Sequence, residues 1–352
     1  MKNLLEYILE AKSVGEQIHI LADYIYQRIK DLVDADPETE GYDNLLDEYI
    51  ADYGKDAYPI EINFSDVKGF DPKRYDLLTY HMMGEDYEDI DCDMLVGICT
   101  CDGMGAMDTD EPLLMINKNT VRKRKKFYRN TTELMNTIAH ELTHYVQHLS
   151  YASNGGHTLK DSGGSVAAEL VDNTKGNMKY YIINFILYAI NPIELDARKQ
   201  GFYQTMKYEI NKKLEQYKKK FKVKDIDIDK FCDFVINHKD YDKNTLHMGY
   251  FNLILDAFKD DKWEDYKKCL DDPENKYRDD SIIYVLLNIC DARDTVPHLP
   301  MPSKHNFVMN INSEQRFNQY KEKLVKHYSK NINNYSKKLK NVIKLVYEEI
   351  NK

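Results

Sequence analysis

Two histidines and a glutamate form the most informative pattern of this chain, His140-Glu141-x-x-His144. Side chains four residues apart lie one turn apart on the same face of an α-helix, so both imidazoles can bind one zinc ion. A glutamate beside the first histidine can reach a water molecule at that ion and act as a general base. The pattern therefore predicts a catalytic metal centre. Its structural alternative is a core helix that carries two satisfied histidines.

The residues around this pattern predict the helix that it requires. Asn130 can cap the N-terminus of that helix, and Glu133 completes a variant of the capping box three residues later. Apolar side chains then recur at three- and four-residue steps, at Leu134, Ile138, Leu142, Tyr145, Val146 and Leu149. This spacing is typical of an amphipathic helix with one buried face.

Two histidines do not complete a stable zinc site, so a third protein ligand is required. His148 is the nearest histidine, but on a straight helix it rises about 12 Å from His140. One ion cannot bind both side chains at about 2 Å. The metzincin pattern needs glycine at position 147 and histidine at position 150, where this chain has Gln147 and Ser150. The third ligand is therefore expected elsewhere in the chain.

A second segment, Asn191-Pro-Ile-Glu-Leu-Asp-Ala-Arg198, completes a resemblance to the glutamate-zincins over residues 57–205. In these metallopeptidases a helix some tens of residues after HExxH carries a third-ligand glutamate. In several of the families that helix reads roughly Glu-x-x-Ala-Asp/Asn. Glu194 and Ala197 match this spacing, and the resemblance implies Glu194 as the third zinc ligand. Arg198 stands where the Asp or Asn would contact a ligand histidine, so the chain departs from the family there.

Two alternatives to Glu194 as the third ligand stay open in the same segment. Asp196 could bind the ion instead, but it points about 200° around the helix from Glu194, so only one of the two can face the ion. The segment is also a good helix start without any metal. In that interpretation Asn191 is the N-cap, Pro192 takes the first helical position and Glu194 the third.

The patterns along the chain predict an α+β fold. Apolar periodicity predicts a helix at residues 14–33, and three later stretches read as strands, at residues 58–64, 94–99 and 113–117. This order, with the HExxH helix next, resembles the small zincin core. In that fold an edge strand beside the active-site helix pairs with extended peptide substrate. The stretch 113–117 is the predicted edge strand.

Helix signals dominate the chain beyond Gly201. The third-ligand helix is predicted to continue through residues 202–221, and further helices are predicted at 229–258, 281–292 and 313–350. We therefore expect a zincin-like metallopeptidase domain with an N-terminal helix at residues 1–221. A mainly α-helical accessory region is expected at residues 222–352.

Composition excludes several other classes of protein. A net charge of −10 argues against a general nucleic-acid binder. The basic run Arg122–Lys126 is either a solvated loop or an anchor for an acidic substrate or partner.

No stretch approaches the roughly 18 apolar residues of a membrane span, so no membrane is expected as a partner. Six cysteines without a CxxC pair, and a start unlike a signal peptide, favour reduced thiols and a cytoplasmic protein.

The first ten residues carry a separate resemblance. They are similar to the short leader of some head proteins of large tailed phages, which a prohead protease removes after a Leu/Ile-x-Glu sequence. Ile8-Leu9-Glu10 fits that sequence, although a short amphipathic helix explains the segment equally well. The resemblance implies a phage-encoded protein, located in the bacterial host cell or in the phage particle.

Taken together, these patterns predict a zinc-dependent metallopeptidase that acts on a protein or peptide substrate. His140, His144 and Glu194 would hold the Zn²⁺ ion, and Glu141 would be the general base. The residues nominated to assist at the scissile carbonyl are Tyr180, Tyr181, His157 and Arg198. The alternatives are a noncatalytic structural or virion-associated protein that retains a zincin fold, and a regulatory binder whose zinc is structural. The oligomeric state cannot be read from the sequence.

Overall fold

Within the described residues the fold is α+β, with a small sheet and a majority of helix. The computed structural model describes residues 15–29, 60–71, 94–99, 105–108, 113–117, 130–153, 177, 179–180, 192–237, 256–257, 259–265, 313–331 and 335–351. None of the described helices combines the length and the apolar composition that a membrane span requires.

The first described helix, α1, spans residues 15–29 and confirms the N-terminal helix expected from apolar periodicity. Its buried face is formed by Ile18, Leu21, Ile25 and Ile29, spaced at three- and four-residue steps. Polar side chains also lie on the buried side of this helix. Gln17 donates its amide to the carbonyl of Gly69 at 3.3 Å, which ties α1 to the segment that follows the first strand.

Four strands form one sheet, β1 (Ile60–Ile62), β2 (Met94–Cys99), β3 (Gly105–Asp108) and β4 (Leu113–Asn117). Their order is β1-β2-β4-β3. Strands β2 and β4 are parallel, whereas β1 and β3 run antiparallel to their neighbours. In β1 the buried Ile60 and Ile62 alternate with the exposed Glu61, as expected for a strand with one face on the core.

The prediction that residues 113–117 form the edge strand is wrong. Strand β4 lies inside the sheet, between β2 and β3, and among the described strands β3 is the edge on that side. Leu113, Leu114 and Ile116 are all buried. Such a continuous apolar run is typical of a strand that is covered on both faces and paired on both sides.

Helix α2 (Asn130–Ser153) follows β4 and contacts both β3 and β4. Helix α3 (Pro192–Phe221) extends without a break over the whole stretch predicted for the third-ligand helix and its Lys-rich continuation. Helices α1 and α3 meet through polar and aromatic side chains. His19 stacks on Tyr203 with ring centroids 4.8 Å apart, and the amide of Gln204 donates to Asp23.

The longer helices described after α3 are α4 (Ile228–Asn237), α5 (Glu314–Asn331) and α6 (Tyr335–Ile350). They confirm the helical character predicted for residues 229–237 and for most of 313–350. The ring of Phe231 lies between Tyr217 of α3 and Tyr347 of α6, with centroids 5.5 and 5.7 Å away. Phe231 and Tyr217 are buried, and packing of these aromatic rings stabilises the contact between the helices.

The chain divides into two compact units. One contains residues 10–159 and 196–205, and the other contains 1–9, 160–195 and 206–352. The domain boundary at residue 221 stays a prediction. The predictions for Ile8-Leu9-Glu10, for the basic run 122–126 and for a helix at 281–292 lie outside the described residues.

Candidate metal centre

Helix α2 carries three of the predicted site residues, His140, Glu141 and His144. The opposite face of the helix is anchored in the core by a row of buried side chains, Leu134, Ile138, Leu142 and Tyr145. His140, Glu141 and His144 are each half-buried. The amphipathic pattern therefore fixes the rotation of α2 so that the motif lies at the border between core and solvent.

The two histidines point their Nε2 atoms at one another. The Nε2–Nε2 distance is 3.1 Å, and the rings are nearly perpendicular, at 87°, with centroids 4.6 Å apart. In a tetrahedral zinc site with bonds of about 2.0–2.1 Å, two ligand nitrogens lie about 3.3 Å apart. The histidine pair therefore already has the spacing that a shared zinc ion needs.

Glu194 offers a third potential ligand atom. It lies in the first turn of α3, the same helix that carries residues 196–205. Its side chain is only 6% exposed. One ligand atom each from His140, His144 and Glu194 lie within 4.8 Å of one another. A side-chain shift of at most roughly 1.5 Å would bring the outermost pair to tetrahedral spacing. A carboxylate that only capped its helix would not need to lie beside two imidazole nitrogens.

The donor set fits zinc. Two imidazole nitrogens and one carboxylate oxygen are ligands that zinc prefers, and three protein ligands leave a fourth position for water or substrate. Burial of Glu194 places its negative charge in surroundings of low polarity, where attraction to a cation is stronger than in water. The half-buried histidines leave a route for solvent to the same point.

The structure places the other nominated residues as follows. Arg198 is half-buried on α3, one turn after Glu194. The ring of Tyr180 contacts Phe317 edge to face at 6.0 Å. The side chain of Asp196 lies outside the described residues, and so do His157 and Tyr181, so their parts in the site stay predictions.

One residue of the site had no function assigned from the sequence. The side-chain oxygen of Gln147 lies 3.0 Å from Nδ1 of His144. The sequence pattern at position 147 indicates only that the chain lacks the glycine of the metzincins. The available signal was its spacing, because a polar residue three positions after a ligand histidine lies next to it on the same helix.

Comparisons of the chain with protein-family models, with curated proteins and with solved structures find no match. What can be said of the chemistry of this site rests on its own residues. Of the predicted set, His140, His144 and Glu194 converge, with Glu141 adjacent on α2.

Proposed function

We propose that this chain is a zinc-dependent metallopeptidase that hydrolyses peptide bonds in extended polypeptide. The observation that carries this proposal is the convergence of His140, His144 and Glu194, two ligands from one helix and a third from another. Glu141, directly after the first histidine, provides a potential general base next to the three ligands. Structural zinc sites are usually closed by four protein ligands, whereas three with an adjacent base are typical of catalytic sites.

The shape of the sheet supports a zincin-like catalytic domain. Among the described strands, β3 lies at the edge of the sheet and contacts the helix that carries the HExxH motif. An extended peptide can add to such an edge through main-chain hydrogen bonds, with its side chains alternating between two faces. A substrate strand on β3 would therefore run beside α2. We propose β3, in place of β4, as the strand that receives the substrate.

The reaction can be described through the residues of the chain. Zinc bound at this site would supply a Lewis acid that polarises the scissile carbonyl and makes water more acidic. Glu141 accepts a proton from the attacking water and then donates it to the leaving amine as the carbon–nitrogen bond breaks. His140, His144 and Glu194 would hold the ion, and β3 would orient the peptide. Holding the reactants in this geometry removes much of the entropic barrier.

The test is the substitution Glu141→Gln in zinc-loaded protein, assayed on unstructured polypeptide. An amide of the same shape cannot accept a proton at neutral pH, so cleavage should fall by about 10²–10⁴-fold. Zinc content should stay near one ion per chain. The matched control is Glu16→Gln on α1, because Glu16 is an exposed glutamate and its loss should leave cleavage unchanged.

Two outcomes would contradict the proposal. If zinc-loaded wild type cleaves nothing across a broad set of unfolded proteins and peptides, the noncatalytic interpretation replaces this one. If Glu141→Gln cleaves as fast as wild type, Glu141 is not the base. Neither alternative predicts cleavage: a noncatalytic structural or virion-associated protein could hold metal or lack it, whereas a regulatory binder with structural zinc would hold the ion.

A further inference from the structure

Gln147 lies one turn after His144 on α2, and its side-chain oxygen is 3.0 Å from Nδ1 of that histidine. We propose that Gln147 is a positioning residue of the metal centre. By accepting a hydrogen bond from Nδ1 of His144, it holds the ring so that Nε2 faces the ion. This inference rests on the zinc site of the proposed function and adds a fourth protein residue on which zinc affinity depends.

The direction of the hydrogen bond follows from the chemistry of the two groups. An amide oxygen can only accept, so Nδ1 of His144 must carry the proton. In a neutral imidazole with the proton on Nδ1, the lone pair is on Nε2. That Nε2 is the atom that lies 3.1 Å from Nε2 of His140. The contact with Gln147 therefore selects the form of His144 that can bind a metal at the shared point.

The hydrogen bond also restrains the orientation of the ring. Gln147 and His144 are three residues apart on one helix, where such side chains are neighbours. The restraint therefore does not depend on another element being in place. A ligand that is already held in its bound orientation loses less conformational entropy when the ion binds. Loss of such a supporting residue typically weakens metal affinity by roughly 10–100-fold.

A carboxylate at position 147 would keep the acceptor and strengthen it. A hydrogen bond from an imidazole N–H to a carboxylate is assisted by charge and is stronger than one to a neutral amide. The added negative charge would also lie near the cation. Gln147→Glu should therefore bind zinc at least as tightly as wild type. The opposite result is expected if the amide nitrogen of Gln147 were the contacting group, because a carboxylate cannot donate.

The experiment is a competition for zinc between the protein and a chromophoric chelator at one pH. Gln147→Met removes the acceptor but keeps a long, unbranched side chain of similar helix propensity. It should weaken zinc affinity by roughly 10–100-fold, and Gln147→Glu should restore it. The matched control is Gln315→Met on α5, where the glutamine is exposed, and it should bind zinc as wild type does. The unfolding of the zinc-free protein should be unchanged in all three variants.

Nitrogen-15 NMR of the histidine rings gives a second measurement that needs no variant. In zinc-free wild type, His144 should carry its proton on Nδ1. A proton on Nε2 would overturn the inference, and so would equal zinc affinities of Gln147→Met and wild type. Equal losses in Gln147→Met and Gln147→Glu would overturn it as well.

The wild-type zinc titration separates this inference from the proposed function. Failure of wild type to bind zinc overturns both. Zinc binding by wild type together with an unaffected Gln147→Met variant overturns only the part assigned to Gln147.

Discussion

Gly201 of α3 lies directly against Asn136 of α2. A Cβ atom placed on Gly201 would come within 2.8 Å of both the carbonyl oxygen and the side-chain oxygen of Asn136. The backbone oxygen cannot move aside without shifting α2 itself. The helices that carry His140, His144 and Glu194 therefore approach more closely here than any side chain at position 201 would allow.

Because of this contact, we expect Gly201→Ala to lower the stability of the protein, whereas glycine-to-alanine changes in helices usually raise it. In most helix interiors the change would stabilise the protein by about 1 kcal/mol. Here the clash with Asn136 should outweigh that gain, since overpacking costs typically about 1–3 kcal/mol. The free energy of unfolding in denaturant should fall, and zinc affinity should fall with it because Glu194 lies on the displaced helix. Asn211→Ala is the control, because Asn211 is exposed on the same helix. A Gly201→Ala protein more stable than wild type would contradict the prediction.

Glu194→Ala should weaken zinc binding by more than the roughly 10–100-fold typical of losing a supporting residue. The reason is that it removes one of three ligands. Asp196→Ala is its natural comparison and should have little effect, because residues two apart face different sides of a helix. Chelator competition measures both. A larger loss in Asp196→Ala would move the third ligand to Asp196, and small, equal losses would reduce Glu194 to a helix-capping residue.

Hydrogen exchange can test which strand receives the substrate. In zinc-loaded Glu141→Gln, an unstructured peptide in excess should slow exchange of outward-facing amides in β3, because they gain partners. The amides of β4 should be protected with or without peptide, since β4 is paired on both sides. A peptide of the same sequence with a methylated backbone is the control and should give no protection. If peptide slowed exchange in β4 alone, the substrate would bind at residues 113–117 instead of at β3.

A fourth prediction concerns stability at alkaline pH. Burial raises the pKa of the Cys232 thiol from its ordinary value of 9.0 to about 11. Between these values the folded protein keeps a proton that the unfolded chain has lost, so this contribution to stability is complete below pH 9 and is lost as the pH rises toward 11. Between pH 9 and 11, the free energy of unfolding of Cys232→Ala should therefore fall less steeply than that of wild type.

Comparing wild type with Cys232→Ala isolates the effect of the thiol's ionisation, because both proteins carry the same charged groups near position 232. These are Asp229, Asp233, Lys340 and Lys344. Urea unfolding at pH 8 to 11 provides the measurement. Parallel stability profiles for wild type and Cys232→Ala would contradict the predicted shift.

Helix α2 and its motif were predictable because two independent signals coincide there. The apolar spacing from Leu134 to Tyr145 predicts the helix, and His140 with His144 requires one. Both are local and depend only on helix geometry. The position of Glu194 near the histidines was expected through a family resemblance but not from its spacing alone, because its burial beside them depends on how distant parts of the chain meet.

Strand β3 was not predicted, and its sequence explains why. Gly105, Ala106 and Asp108 belong to residue types that are depleted in strands, and four residues are too few for a clear alternation. The strand is stabilised by its pairing with β4, from Gly105 opposite Ile116 to Asp108 opposite Leu113. The error in placing the edge at β4 has the same origin. Both follow from tertiary pairing that local patterns do not encode.

The strand order also has a consequence for how the protein is made. Among the described strands, β3 pairs with β4 alone, and β4 separates it from β2. A nascent chain that ends before Leu113 therefore holds β2 and β3 without the strand that joins them. Helix α2 begins at Asn130, soon after β4 is synthesised. Synthesis of the last described strand is thus followed directly by synthesis of the HExxH helix, which contacts β3 and β4 in the folded protein.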